Sequence, residues 1–430
     1  MIGGAVNRLS LSGLAATLVG NGIGRFAFIA LMPALILDGW FTQGEASYLS
    51  VATLVGYLLG AGLSDLLGSR VRVSTLLRMS MLTCSISFFA CAVEHAGLPW
   101  YFFWRTLAGF SGAILMVLPA PVVLPTQAPA IRGRASGVVF SGIGLGAVIS
   151  GALVPSLIAG TGLIVVVSGD QFSLLVLQGV TGAWVGMGCI CLLLTALAWR
   201  QWPPDAHASP KAATAGLASK PFSAETRAAV GLILAAHGLN AIGYLAHTLF
   251  WVDYIVRELH LPLSTGGFYW AMFGLGAAIG PLVTGSLADV FGLKRCLIAA
   301  FLLKFFAAAL PLLSNSAVAL FISSFLMGMF TPGIVALISA YALDRVGAEH
   351  HRKAWGLATL SFAAAQAGGG LLMAMLAVSL SSYRPLFAVS AVALLGALAC
   401  IAAIRAVSPP LPTVPPLLLT YQPKKQEAAL

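Results

Sequence analysis

Gly285-Ser286-Leu287-Ala288-Asp289-Val290-Phe291-Gly292-Leu293-Lys294-Arg295 closes one long apolar run and opens the next. A stretch of the same order, Ala61-Gly62-Leu63-Ser64-Asp65-Leu66-Leu67-Gly68-Ser69-Arg70-Val71-Arg72, stands 224 positions upstream. In both, small residues and a leucine precede an aspartate, two apolar residues, a glycine and then cations. These parts suit a hinge with a latch: a helix ends beside the aspartate, glycine permits a sharp reversal, and the cations pair with the acid or stay in water. The expected gates are therefore Asp65 with Arg70 and Arg72, and Asp289 with Lys294 and Arg295. Two copies at matching depth make the chain two related halves.

The composition agrees with a membrane setting. Of 430 residues 59% are hydrophobic and only 8% charged, with a mean hydropathy of +0.96, against roughly a quarter charged in soluble domains. The net charge of +10 raises nucleic acid as a partner, but the cations are scattered along the topology instead of gathered in a patch, so nucleic acid is excluded and the lipid bilayer is the surrounding phase. Cys84, Cys91, Cys189, Cys191, Cys296 and Cys400 all fall inside apolar runs, which implies no disulfide framework. Cys189 and Cys191 form a lone C-x-C whose side chains point about 200° apart on a helix, and no metal or cofactor is expected. The apolar run from Leu9 to Leu37 contains Arg25 and is far longer than a signal-peptide core, so it reads as a first spanning helix.

Segments long enough to cross roughly 30 Å of hydrocarbon fall at 9–37, 46–67, 73–93, 99–124, 137–159, 177–199, 228–256, 264–287, 296–313, 317–341, 354–380 and 385–406. The expected fold is an all-α membrane protein of twelve transmembrane helices, arranged as two six-helix bundles related by a pseudo-two-fold axis. The bundles are placed at 1–200 and 227–408, joined by a Pro-, Ala- and Ser-rich cytoplasmic linker at 201–226 and followed by a tail at 409–430. With both termini in the cytoplasm, 17 of the 23 lysines and arginines lie on the inner side, Arg257 and Arg384 lie outside, and Arg25, Arg78, Arg105 and Lys304 lie within helices. That is the positive-inside distribution. The repeat extends at an offset of 219, pairing Gly24 with Gly243, Gly109 with Gly328, and Arg134 to Gly137 with Lys353 to Gly356. One stretch is out of pattern: 161–178 is longer than an outside connection needs, and reads either as a hairpin or as extensions of the flanking helices.

The repeated aspartate run resembles the loop signature of the major facilitator superfamily, G-x-L-x-D-x-x-G-x-x-R, with Ala61 in place of the opening glycine of the first copy. Arg105-Thr106-Leu107-Ala108-Gly109-Phe110-Ser111-Gly112-Ala113 is similar to the R-x-x-x-G-x-x-G-A pattern that the superfamily associates with proton coupling. Gly142 to Gly151 is similar to the antiporter motif G-x-x-x-G-P-x-x-G-G, with Ala147 for the proline and Ser150 for a glycine, which weakens the link to drug export. Gly22-Ile23-Gly24-Arg25-Phe26-Ala27 is similar to the first-helix run of the YbfB-like bacterial branch, with Gly182-Ala183-Trp184 as weaker support. The resemblance implies a secondary transporter in the bacterial inner membrane, acting as a monomer by alternating access.

Candidate site residues follow from polarity inside apolar helices. Thr17, Asn21, Arg25 and Phe28 share one face of the first helix. A cation at Arg25 costs ~2.5–3.5 kcal/mol on the insertion scale, and persists only beside a wet cavity or a partner. Arg105 stands near the outer end of the fourth helix, where it serves either the cavity or the interface by snorkelling. On the seventh helix, His237, Asn240, Tyr244, His247 and Trp251 share a polar and aromatic face, and both histidines are candidate proton carriers. Arg78 reads as structural, the case of Lys304 is open, and Asp253 ranks below these because it lies beside Arg257 and Glu258 near the outer end.

The spans thus hold four cations and no carboxylate near the midplane, so the cavity is expected to be electropositive and to favour a small organic anion held by Arg25 and Arg105. Protons are the expected coupling ion. Efflux of a drug-like compound or metabolite by proton antiport is the competing reading, and a non-transporting sensor or scaffold of the same fold is the reading from another class. No H-E-x-x-H, G-x-S-x-G or phosphate-loop pattern occurs, which disfavours an enzyme or an ATP-driven pump.

Overall fold

The computed structural model describes residues 7–127, 132–160, 163–168, 171–176, 178–203, 224–380 and 382–404. The proposed linker, save its ends, and the tail lie outside these residues. Twelve helices are long and apolar enough to span a bilayer: α1 (Arg8–Leu37), α2 (Gln43–Arg70), α3 (Val73–Cys91), α4 (Leu98–Thr126), α5 (Arg132–Ile158), α6 (Gly179–Ala198), α7 (Ala224–Glu258), α8 (Leu263–Phe291), α9 (Leu293–Leu313), α10 (Ala317–Gly347), α11 (Lys353–Ser379) and α12 (Arg384–Ala403). Apolar segments of this length close every backbone bond internally, the condition a spanning element must meet in lipid.

Local chemistry sets several ends. Asn7 and Ser10 form a reciprocal cap at the start of α1, with Ser10 N donating to Asn7 Oδ1 at 2.8 Å and Asn7 N to Ser10 Oγ at 2.9 Å. Thr42 and Glu45 do the same for α2. Gly347, at φ 70°, breaks what is otherwise one continuous helical run between α10 and α11. The two copies of the aspartate run end differently. Gly292 has φ 85° and reverses the chain between α8 and α9, as expected. Gly68 stays helical, and α2 continues to Arg70 before turning at Val71. The expected reversal at Gly68 is therefore corrected.

The 161–178 stretch resolves in favour of a hairpin: β1 (Leu163–Ser168) pairs antiparallel with β2 (Gln171–Val176), in the register Leu163 to Val176 and Ser168 to Gln171. It adds a two-stranded ribbon to an otherwise helical membrane protein.

Glycine sets the closest helix approaches. A Cβ on Gly56 would strike the Thr106 carbonyl and one on Gly109 the Thr53 carbonyl, which brings α2 and α4 into backbone contact. Gly280 and Gly328 meet the Met329 and Phe273 carbonyls in the same way between α8 and α10. These are the positions that the offsets of 224 and 219 relate, so the internal repeat is repeated packing as well as repeated sequence. Between the two sets of six helices, α5 meets α8 where Gly144 faces the Gly274 carbonyl, and α2 meets α11 where Gln43 Nε2 donates to Ala377 O at 2.9 Å.

Candidate substrate cavity

The cavity is built around a distortion in α1. Residues Leu18–Ile23 form a π-helical turn, a local widening that is frequent at functional sites. Asn21 within it donates from Nδ2 to Gly112 O of α4 at 2.8 Å, and Thr17 donates to Val139 O of α5 at 2.5 Å. These bonds tie α1 to two neighbours just before Arg25.

Arg25 then reaches α7. Its Nη2 donates to the Tyr244 hydroxyl at 3.1 Å. The two residues are 219 positions apart, so equivalent sites of the two halves meet directly. Asn21 and Asn240 are related by the same offset. Gln366 of α11 completes the cluster. With its amide turned so that the oxygen faces inward, it accepts from the Tyr244 hydroxyl and from both terminal nitrogens of Arg25, at 2.7 and 3.0 Å. Tyr244 interrupts the helical geometry of α7 at φ −115°, ψ 1°, which sets its ring between Arg25 and the cation of α9.

That second cation is Lys304, fully buried, whose Nζ donates to Asn240 Oδ1 at 2.9 Å and lies 5.2 Å from the Tyr244 ring centre. Asn240 Nδ2 has no partner. His237 packs against Phe362 at 4.7 Å and Trp355 at 5.6 Å. His247 is stacked on Trp251, and its Nε2 meets Ser323 Oγ at 2.8 Å. Because Ser323 gives its own proton to Ala307 O at 2.6 Å, Nε2 must be the donor to Ser323. The bare lone pair of His247 is therefore on Nδ1, which is buried and unpartnered.

Arg105 is 1% exposed. It does not snorkel: Nη1 donates to Gly24 O at 3.0 Å, and the guanidinium covers the Phe28 ring at 4.7 Å. Arg25 and Arg105 border one narrow cleft together with Phe28, Thr53, Leu54 and Thr248. It offers only about 10 Å³ to the centre of a water-sized sphere, room for roughly one water molecule in this conformation. The cleft lies where α1, α2, α4 and α7 converge.

Charge balance is one-sided here. Among the described residues, ion pairs within 4.0 Å join Glu94 to His95, Asp253 to Arg257 and Asp344 to Arg345. None reaches Arg25, Arg105 or Lys304. Asp253 is fully buried, yet it is committed near the C-terminal end of α7, where Arg257 meets it bidentately at 2.6 and 2.9 Å and the Tyr383 hydroxyl also bonds it.

The residues of the expected gates lie apart from this cluster. Asp289 is exposed and forms no ion pair among the described residues. Lys294 donates instead to Ala402 O and Ile404 O, at 3.2 and 2.5 Å, closing the end of α12. Arg70, Arg72 and Arg295 are exposed, and the Asp65 side chain lies outside the described residues. Arg78 closes α6 through the Trp199 carbonyl at 2.7 Å.

Gln366, not among the candidates above, and Lys304, whose case the chain alone left open, both belong to the cluster. Each had a readable signal: Gln366 is the one glutamine of α11, and Lys304 lies within an apolar run.

Twelve spanning helices in repeated packing, with polar residues of α1, α7, α9 and α11 converging inside, define a transporter of the major facilitator superfamily. Residues 17–403 match the family model described as uncharacterised MFS-type transporter YbfB, and the chain belongs to that family. No curated protein sequence matches it. Among solved structures it is similar to a point mutant of the nucleoside transporter NupG, with a TM-score of 0.70 at 10% identity, covering 93% of this chain and 100% of that one. It is also similar to a bacterial homologue of the human lysosomal transporter Spinster. The inward-facing occupied form gives a TM-score of 0.63 at 14% identity, covering 92% of this chain and 93% of that one. The unoccupied form gives 0.64 at 16%, covering 92% and 94%. At these identities the likeness is one of fold.

Proposed function

We propose that this transporter moves a small organic anion across the cytoplasmic membrane by alternating access, with Arg25 as the principal anchor and Asn21, Arg105, Asn240 and Tyr244 lining the path. The observation that carries this reading is a set of three cations inside the helix bundle, Arg105 and Lys304 buried and Arg25 half-buried, with no acid beside them among the described residues. Buried charge is retained where a ligand or a wet path compensates it, and a guanidinium offers a carboxylate two parallel donors. Protons are the proposed coupling ion. His247 supports this through its unpartnered Nδ1, with His237 as the second candidate on the same helix. The two six-helix units at 1–200 and 227–408 would rock about the cavity, with the aspartate runs at Asp65 and Asp289 as cytoplasmic gates and both termini in the cytoplasm. A single chain is the proposed working unit.

The test is uptake of carboxylates into proteoliposomes, with and without an imposed pH gradient. Arg25→Ala should abolish accumulation while leaving the protein folded. Transport indifferent to that change would remove the anion reading.

A further inference from the structure

Two guanidiniums border one narrow cleft from different helices, and neither is matched by an acid among the described residues. Arg25 and Arg105 each keep a buried Nε with no partner. Their bonds in this structure go to neutral oxygens only: Tyr244 and Gln366 for Arg25, the Gly24 carbonyl for Arg105. Neutral acceptors hold the groups in place without cancelling their charge. A monoanion bound at one of them would leave the other uncompensated in a site of low dielectric.

The walls between the two groups are mixed. Phe28, Leu54 and Leu249 present apolar surface, while Thr53 and Thr248 supply hydroxyls, and Thr53 Oγ1 has no partner. A cleft that two cations and several apolar side chains line together fits a ligand with two charged groups joined by a short hydrocarbon spacer. A compact inorganic dianion would make no use of the apolar walls. Both guanidiniums line the same small cleft, so a ligand that meets both has a short spacer.

Resting on the anion reading above, we infer that the solute is a short-chain dicarboxylate, with one carboxylate on Arg25 and the other on Arg105. Arg105 is then a substrate ligand that selects for the second negative charge, in addition to its bond to Gly24.

The test compares diacids with monoacids of the same carbon count on the purified full chain in detergent: malonate against propionate, succinate against butyrate, glutarate against valerate, with inorganic phosphate as a further probe. All are titrated at pH 7 and matched ionic strength, and binding is read from the rise in unfolding temperature. At least one diacid should bind tenfold or more tightly than its monoacid partner, and Arg105→Lys should shrink that ratio more than it weakens the monoacid. Equal affinity across every pair overturns the dicarboxylate inference and leaves the anion reading standing. A shift with phosphate alone also overturns it, and shows that the anion held is inorganic. No shift with any anion sinks both. The comparison on the unmodified protein decides the matter even if Arg105→Lys fails to fold.

Discussion

The cation of α9 offers a sharp test of whether this site is held for function at the expense of the fold. Lys304 is fully buried, bonded to Asn240 at 2.9 Å and set 5.2 Å from the Tyr244 ring. A cation deep in a spanning helix costs ~2.5–3.5 kcal/mol. A hydrogen bond to a charged group returns ~1.5–3 kcal/mol, and a desolvated cation–π contact ~2 kcal/mol. These nearly cancel, so the loss of the cation by itself should change stability little. Lys304→Met also leaves Asn240 Oδ1 without a donor, a penalty of about 1–3 kcal/mol, and the single variant should therefore melt slightly below the wild type. The double change Lys304→Met with Asn240→Leu removes both the cation and the stranded amide, whose Nδ2 is already unpartnered. With the cation's own terms nearly cancelling, relief of that amide should stabilise the protein by about 1–3 kcal/mol while abolishing transport. Cys84, Cys91 and Cys191 are buried, so a thiol-reactive fluorophore reports unfolding of the detergent-solubilised protein. A double variant that melts below the wild type would show that Lys304 and Asn240 hold the bundle together, and the reasoning would fail.

Two further outcomes follow from the packing. Asp253→Ala should destabilise by about 3–5 kcal/mol, the usual cost of breaking a buried ion pair from one side, and adding Arg257→Ala should recover part of the loss; equal melting of the single and double variants would count against a coupled pair. Gly109→Val should cost ~1–3 kcal/mol or more through overpacking against the Thr53 carbonyl, whereas Gly285→Ala, with nothing within 4 Å of the added carbon, should melt with the wild type in the same assay.

The pseudo-symmetry gives the cavity its asymmetry. Equivalent positions of α1 and α7 carry Arg25 and Tyr244, and those of α4 and α10 carry Arg105 and Ser324. The first half therefore supplies guanidiniums where the second supplies hydroxyls. Ser324 accepts from Trp251 Nε1 at 2.9 Å, so α7 is anchored to α10 by neutral bonds while α1 is anchored to α4 by a charged bond from Arg105 as well as the neutral one from Asn21. A rocking motion of the two halves would change the separation of Arg25 and Tyr244 directly, because each half contributes one partner.

Amphipathic logic and length were enough to read twelve spans, the internal repeat and the exceptional position of Arg25 from the chain alone. Each of these is a local property: an apolar run long enough to cross lipid, a spacing that recurs, a cation where none should persist. Abundant glycine signalled that helices approach closely, but which backbones meet, Gly56 with Thr106 and Gly280 with Met329 among them, was not legible. Partnership across hundreds of positions was decided only in three dimensions. Lys294 closes α12 because the Ala402 and Ile404 carbonyls at its end accept it, although the nearest acid in sequence is Asp289. Gln366 and Lys304 join the site because α11 and α9 pack beside the break at Tyr244. Side chains of ordinary kind acquired their roles from what folding placed opposite them, and helix packing, unlike helix formation, leaves no periodic trace along the chain.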